Sequence, residues 1–158
     1  MARIPITQYM LLVHDEDLFD SGCQTLVNTV NTYPGVMGAG IAYQFATRYP
    51  DIVTPYKQAC VDKTLTVNSP QLIKRDPLPW VLNFATKEHV KNKSQMEYIR
   101  CGLMAIKTRY AMDGIESIAI PALGCGFGGL AWPQVLATII EYLGDIDIPC
   151  FIYSPIFY

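Results

Sequence analysis

Apolar positions along the chain recur with two periods that take turns, the strand period of two and the helix period of three to four. The stretches YMLLV (9–13) and CQTLVNTV (23–30) are rich in Val, Leu and Thr and predict early strands. GIAYQFATRYP (40–50) predicts a short helix closed by Pro50. DIVTPYKQACVDK (51–63) predicts another, with Asp51 as its cap and Pro55 tolerated in the first turn. TLTVNS (64–69) and PWVLNFA (79–85) again predict strands. SQMEYIRCGLMAIKTRYAMDG (94–114) is the clearest helix, with Ser94 and Glu97 spelling a capping box and Gly114 supplying the stop. SIAIPAL (117–123) predicts a buried strand, and WPQVLATIIEYLG (132–144) a helix with Pro133 near its first turn and Gly144 at its end. PCFIYSPI (149–156) closes the chain as a strand. This order predicts an α/β fold, a central sheet with helices on both faces, in a single domain over 1–158.

Composition narrows the class. With 158 residues and 51% of them hydrophobic, the chain can bury one core. No run of about 18 apolar residues offers a membrane span, and no secretory leader is legible at the N-terminus, so a cytoplasmic protein without a membrane partner is expected. Five cysteines are scattered with no CxxC pair, and only two histidines occur, so no metal site is expected. Net charge is −2, but unevenly spread. Residues 57–109 hold ten of the twelve Lys and Arg and four of the fourteen acids, a net +6 that leaves −8 elsewhere. Such a segment can form a cationic face for a polyanion, or be a solvated surface with scattered lysines.

Two glycine loops carry the candidate chemistry. The first is Gly35-Val36-Met37-Gly38-Ala39-Gly40, leading into Ile41 and the helix behind it. Its order, G-x-x-G-x-G, is not the dinucleotide fingerprint, and no Gly-Lys-Ser/Thr follows as a phosphate loop of the Walker type requires. The second, in PALGCGFGGLAWP, places Gly124, Gly126, Gly128 and Gly129 within six residues after a buried strand. Glycines permit close backbone approach, and free amides near a helix start attract anions. Two such loops suit a diphosphate gripped from both sides by peptide N–H groups, although each can also be only a tight turn.

Polar side chains around these loops supply further candidates. Asn28 and Asn31 in LVNTVNT precede the first loop and can bind sugar hydroxyls or cap a turn. Asp17 in HDEDLFDSG can accept a hydrogen bond from an amino group such as that of adenine, or sit in an acidic turn. Lys87, at the strand end in NFATKEHVKNKS, is a nucleophile if its environment favours the neutral amine, and otherwise an ordinary surface lysine.

The ordered set EDLF, LVNTVNT, GVMGAGIAYQF, NFATK and IAIPALGCGFGGLAW resembles the macrodomains, in particular the DNA ADP-ribosyl glycohydrolase (DarG) antitoxins. A more distant likeness is to the human terminal ADP-ribose protein glycohydrolase. The resemblance implies a three-layer α/β/α fold with a mixed sheet and an ADP-ribose cleft across its top. It implies that Asp17 binds the adenine amino group with Leu18 beside it, and that Asn28 and Asn31 form the asparagine motif, with Asn31 facing the distal ribose. Gly38, Gly40 and Ile41 match the first phosphate loop. Gly124, Cys125, Gly126, Phe127 and Gly128 match the second, with Phe127 flanking the distal ribose. Lys87 matches the catalytic lysine. The implied activity is hydrolysis of ADP-ribose from DNA bases, thymidine first, reversing a DarT-type toxin in a bacterial or phage setting. The partners are then ADP-ribose and ADP-ribosylated single-stranded DNA, with no cofactor and a monomeric protein. A non-catalytic ADP-ribose module and a hydrolase of ADP-ribosyl esters on protein are the alternatives.

Overall fold

The structure, a computed structural model, describes residues 3–155. Its strands are β1 (Arg3–Pro5), β2 (Met10–Val13), β3 (Thr25–Tyr33), β4 (Gln71–Ile73), β5 (Trp80–His89), β6 (Ile118–Ile120) and β7 (Cys150–Tyr153). Its helices are α1 (Gly40–Arg48), α2 (Val53–Asp62), α3 (Met96–Asp113) and α4 (Trp132–Leu143). The strands form one mixed sheet in the order β1-β2-β7-β6-β3-β5-β4. The five inner strands run parallel, and β1 and β4 close the edges antiparallel. Parallel strands are buried on both faces, which is why the inner segments read as near-continuous apolar runs.

Alternation along each strand sorts side chains into two cores. Met10, Leu12, Val27, Phe84, Ile118, Ile120, Cys150 and Ile152 face α3 and α4, which contribute Ile99, Leu103, Ile106, Val135 and Ile139. Val13, Leu26, Val30, Val81, Ala85, Ala119 and Tyr153 face α1 and α2, which bring Ala42, Phe45, Tyr56 and Ala59. This is the expected three-layer α/β/α arrangement.

Several local expectations fail for identifiable reasons. TLTVNS forms no strand: Thr66 and Ser69 close a tight turn on each other, and pairing with β5 begins only at Gln71. Asp51 caps no helix. It lies in a 3₁₀ turn (Pro50–Ile52), and its carboxylate takes a two-point grip from Arg75 at 2.8 and 3.0 Å. Ser94 and Glu97 form no capping box, because α3 starts one residue late, with Gln95 in the cap position. The Ser94 N–H instead donates to the Gly128 carbonyl at 3.0 Å. β1 was not expected; its residues are all exposed, so no apolar alternation marks it.

Candidate active site

Each of the five parallel strands ends on the same side of the sheet, and residues beyond each end line one cleft of about 1010 Å³. That is ample for a nucleotide, and the C-terminal edge of a parallel sheet is where such folds bind ligands. Along the sheet, the cleft runs from Asp15–Phe19 after β2, past Tyr153–Pro155 at the end of β7, between the glycine loops after β6 and β3, to Lys87 on β5 and Val90 just past it.

At the β2 end, Asp15 turns the chain with a φ of 58°. Asp17 then caps a 3₁₀ turn (Leu18–Asp20), one carboxylate oxygen accepting from the Phe19 N–H at 2.9 Å. Its other oxygen lies 3.8 Å from Arg48, whose guanidinium stacks over the Phe19 ring at 4.2 Å. Asp17 and Leu18 both line the cleft.

The middle is made of backbone. The first loop brings Gly38, Gly40 and Ile41 to the cleft, and α1 begins there with no side chain capping it. Among the described residues, the amides of Gly38, Ala39, Gly40 and Ile41 donate to no acceptor, so the positive end of the helix faces open space. Opposite, Gly124, Cys125, Gly126, Phe127 and Gly128 all line the cleft. The second loop is closed by Leu130 N–H to Gly124 O at 2.9 Å and Gly129 N–H to Gly126 O at 3.2 Å. The amides of Gly126, Phe127 and Gly128 are left free among the described residues. The exposed Phe127 ring spans the gap, its edge 3.9 Å from where a Cβ on Gly40 would stand.

Ser94, read from sequence as a cap, is the post beneath this loop. It is buried, its hydroxyl has no partner among the described residues, and it fills the space where side chains on Gly124 and Gly128 would go. Burial pushes the Cys125 thiol up to about 11, so it stays neutral at physiological pH and is no ready nucleophile.

The two asparagines part company. Asn31 lines the cleft and shapes the first loop, its amide donating to Val36 O at 3.1 Å and accepting from Gly35 N–H at 3.2 Å. Asn28 does not reach the cleft. It is fully buried and donates to the Asn83 carbonyl at 3.0 Å, and Asn83 donates to Gln71 at 3.0 Å. These three residues are direct partners across β3, β5 and β4, so the expected sugar-binding amide is a rung that fixes strand register.

At the far end, β3 and β5 slip by one residue: Val30 faces Ala85 but Asn31 faces Lys87, leaving Thr86 as a bulge. In a regular strand neighbours point to opposite faces, whereas here Thr86 and Lys87 both line the cleft. Lys87 is the only Lys, Arg or His lining the cleft among the described residues, and it makes no ion pair there. Among the described residues, the cleft carboxylates lie at the opposite end, on Asp15, Glu16 and Asp17. No cluster able to hold a metal occurs among the described residues. Three cations of the positive segment are neutralised locally, Arg75, Lys107 and Arg109 pairing with Asp51, Asp145 and Asp113.

Sequence reasoning missed Phe19, Thr86, Val90, Tyr153 and Ser154, which also line the cleft. The available signal was the rule that parallel strands deliver their C-terminal ends to a common site.

The Macro domain family model matches residues 27–139. The chain belongs to the macro domain family. This macro domain is 39% identical, over 98% of its length, to a DNA ADP-ribosyl transferase–DNA ADP-ribosyl glycohydrolase fusion protein of Thermosipho africanus, of which it covers 44%. It therefore spans less than half the length of that relative. Its structure is similar to that of Thermosipho africanus DarTG in complex with ADP-ribose, with a TM-score of 0.94 and 40% identity over 98% of this chain and 43% of that one. It is also similar to the macrodomain of Thermus aquaticus DarG, with a TM-score of 0.85 and 36% identity over 92% of this chain and 99% of the other. No helix among the described residues is long and apolar enough to cross a membrane.

Proposed function

We propose that this macro domain hydrolyses ADP-ribose from modified DNA bases, with thymidine in single-stranded DNA as the preferred acceptor. The observation that carries the reading is the position of Lys87: among the described residues the one basic side chain lining the cleft, at the end opposite the carboxylates and beyond two loops of unpaired amides. The relatives named for DNA ADP-ribosyl glycohydrolase activity, and the similar structure holding ADP-ribose, support the choice of substrate.

In this reading the adenine amino group donates to Asp17 and the diphosphate lies between the free amides of the two loops. Amide donors to a charged oxygen give strong hydrogen bonds and hold the distal ribose in place before reaction. Phe127 covers that ribose. Lys87 Nζ attacks its anomeric carbon through the nitrogen lone pair. The bond from that carbon to the base nitrogen breaks, and its electron pair leaves with the base, which takes the proton that the newly bonded lysine nitrogen gives up. Water then displaces the lysine, restoring the amine and releasing ADP-ribose. One water is consumed, and one unmodified base and one ADP-ribose result.

Incubation with an oligonucleotide ADP-ribosylated on thymidine tests this, with released ADP-ribose quantified by chromatography. Release at a rate above that from ADP-ribosylated protein supports the proposal. An intact oligonucleotide alongside tight ADP-ribose binding makes the domain a binding module, and release from protein alone makes it an ester hydrolase.

A further inference from the structure

Beyond Lys87, β3 and β5 continue for two more residues, past the point where the cleft needs them. Their last paired residues are Tyr33 and His89. The rings lie 5.3 Å apart between centroids at 41° to each other. Tyr33 is 65% exposed, unusual for an aromatic at the end of an inner strand. The pair is held from the backbone: Val90 N–H donates to Tyr33 O at 2.9 Å, and Asn92 N–H to His89 O at 2.9 Å. Lys91 N–H donates to His89 Nδ1 at 3.0 Å, which fixes the imidazole plane. Nothing in the site derived above uses this pair.

Its surroundings point to the occupant. Val90 is 40% exposed and lines the cleft, so the platform is continuous with the cleft mouth beside Lys87. Lys91 and Lys93 are exposed, and neither is ion-paired among the described residues. The stem of Lys93 runs beside the second loop, its Cδ 3.9 Å from where a Cβ on Gly129 would stand. Glu88 is the only acid between residues 87 and 93. A flat exposed ring, with two unpaired cations in the segment that follows its partner His89, on a protein that is otherwise acidic, matches the needs of a single nucleic acid strand: a base to stack and phosphates to neutralise.

We infer that Tyr33, backed by His89, is a stacking platform for the nucleobase adjacent to the modified one in single-stranded DNA, with Lys91 and Lys93 in the following segment meeting its phosphates. The inference rests on the glycohydrolase reading for the strand's direction: the acceptor base leaves the cleft at the Lys87 end, where the platform stands. A protein acceptor would supply neither a regular phosphate series nor a base for the ring.

The test has two arms. In the first, a fluorescein-labelled unmodified oligothymidylate is titrated with wild type, Tyr33→Ala, Tyr33→Trp and the double variant Lys91→Glu/Lys93→Glu, with melting curves confirming the fold. Loss of one base stack should weaken Kd about tenfold in Tyr33→Ala, and Tyr33→Trp should hold it. The lysine variant should flatten the salt dependence of binding by about 0.7 in logarithmic slope for each phosphate it no longer neutralises. In the second arm, Tyr33→Ala should raise KM about tenfold on an ADP-ribosylated oligonucleotide and change kcat/KM on ADP-ribosylated thymidine nucleoside less than about twofold. Equal effects on oligonucleotide and nucleoside, or none on either, would overturn the platform. So would a matching loss on ADP-ribosylated protein. If wild type leaves the modified oligonucleotide intact, the glycohydrolase reading fails by itself, and the first arm decides the platform: equal oligothymidylate affinity in wild type and Tyr33→Ala ends it.

Discussion

A methyl group on Gly128 would overlap Ser94 Oγ and stand 2.5 Å from Gly124 O and 2.8 Å from Ser94 Cβ. Two of these obstacles cannot swing away, since one is backbone and the other a buried Cβ fixed at the start of α3. The second loop must therefore shift in Gly128→Ala. Overpacking of this kind costs about 1–3 kcal/mol, a fall in Tm of roughly 3–10 °C for a domain of this size. The consequence for binding is separate. In the proposed binding mode, moving the loop takes the amides of Gly126, Phe127 and Gly128 off the diphosphate, and loss of one hydrogen bond to a charged group is worth about 1.5–3 kcal/mol. ADP-ribose affinity should then fall about 10- to 150-fold. Titration calorimetry measures it, with melting curves showing that the protein is folded at the temperature used. Adding Ser94→Ala removes the hydroxyl but leaves the Gly124 carbonyl in the way, so the double variant should recover only part of the affinity. Gly128→Ala binding ADP-ribose within about threefold of wild type would refute a second loop that grips the diphosphate through its amides.

Asn28→Ala should lose about 1–3 kcal/mol of stability in a denaturant melt, by stranding Asn83 in the core, and leave ADP-ribose affinity unchanged. A selective loss of affinity would return Asn28 to the binding site. Because the Cys125 thiol is raised from 9.0 to about 11, its thiolate fraction at pH 7.5 is about 100-fold below that of an ordinary cysteine. Its alkylation by iodoacetamide, followed by mass spectrometry, should be correspondingly slow, rise about tenfold per pH unit, and level off only near pH 11 rather than near 9. Rapid labelling at neutral pH would contradict a desolvated, neutral thiol.

The two glycine loops were legible because close backbone approach demands glycine, and no other residue disguises the signal. Lys87 was marked by the resemblance, since a lysine at a strand end is as often an ordinary surface residue; the structure adds that it lines the cleft. Asn28 was not legible, since the same amide serves as a sugar ligand or as a buried rung. Only the register that sets it opposite Asn83 and Gln71 tells these apart. Ser94 carried a local helix-start pattern that a distant carbonyl, Gly128, overrode. The strands β1 and β4 are short and sit at the edges, exposed or half-buried, so neither carries the alternation that betrays a buried face. Charge counting placed the basic residues in one segment but could not show which are paired. Arg75 is held by Asp51, whereas Lys91 and Lys93 stand free by the cleft among the described residues.

In the proposed division of labour an amine at the β5 end acts on a nucleotide held by backbone amides elsewhere, and Lys87→Ala separates these two functions. The decisive measurement sets single-turnover hydrolysis of a thymidine-ADP-ribosylated oligonucleotide against ADP-ribose affinity, in wild type and Lys87→Ala. The account predicts a fall in the rate of about 10²- to 10⁴-fold, with Kd for ADP-ribose within about threefold of wild type. Hydrolysis that persists at the wild-type rate, or falls only in proportion to lost affinity, would contradict it.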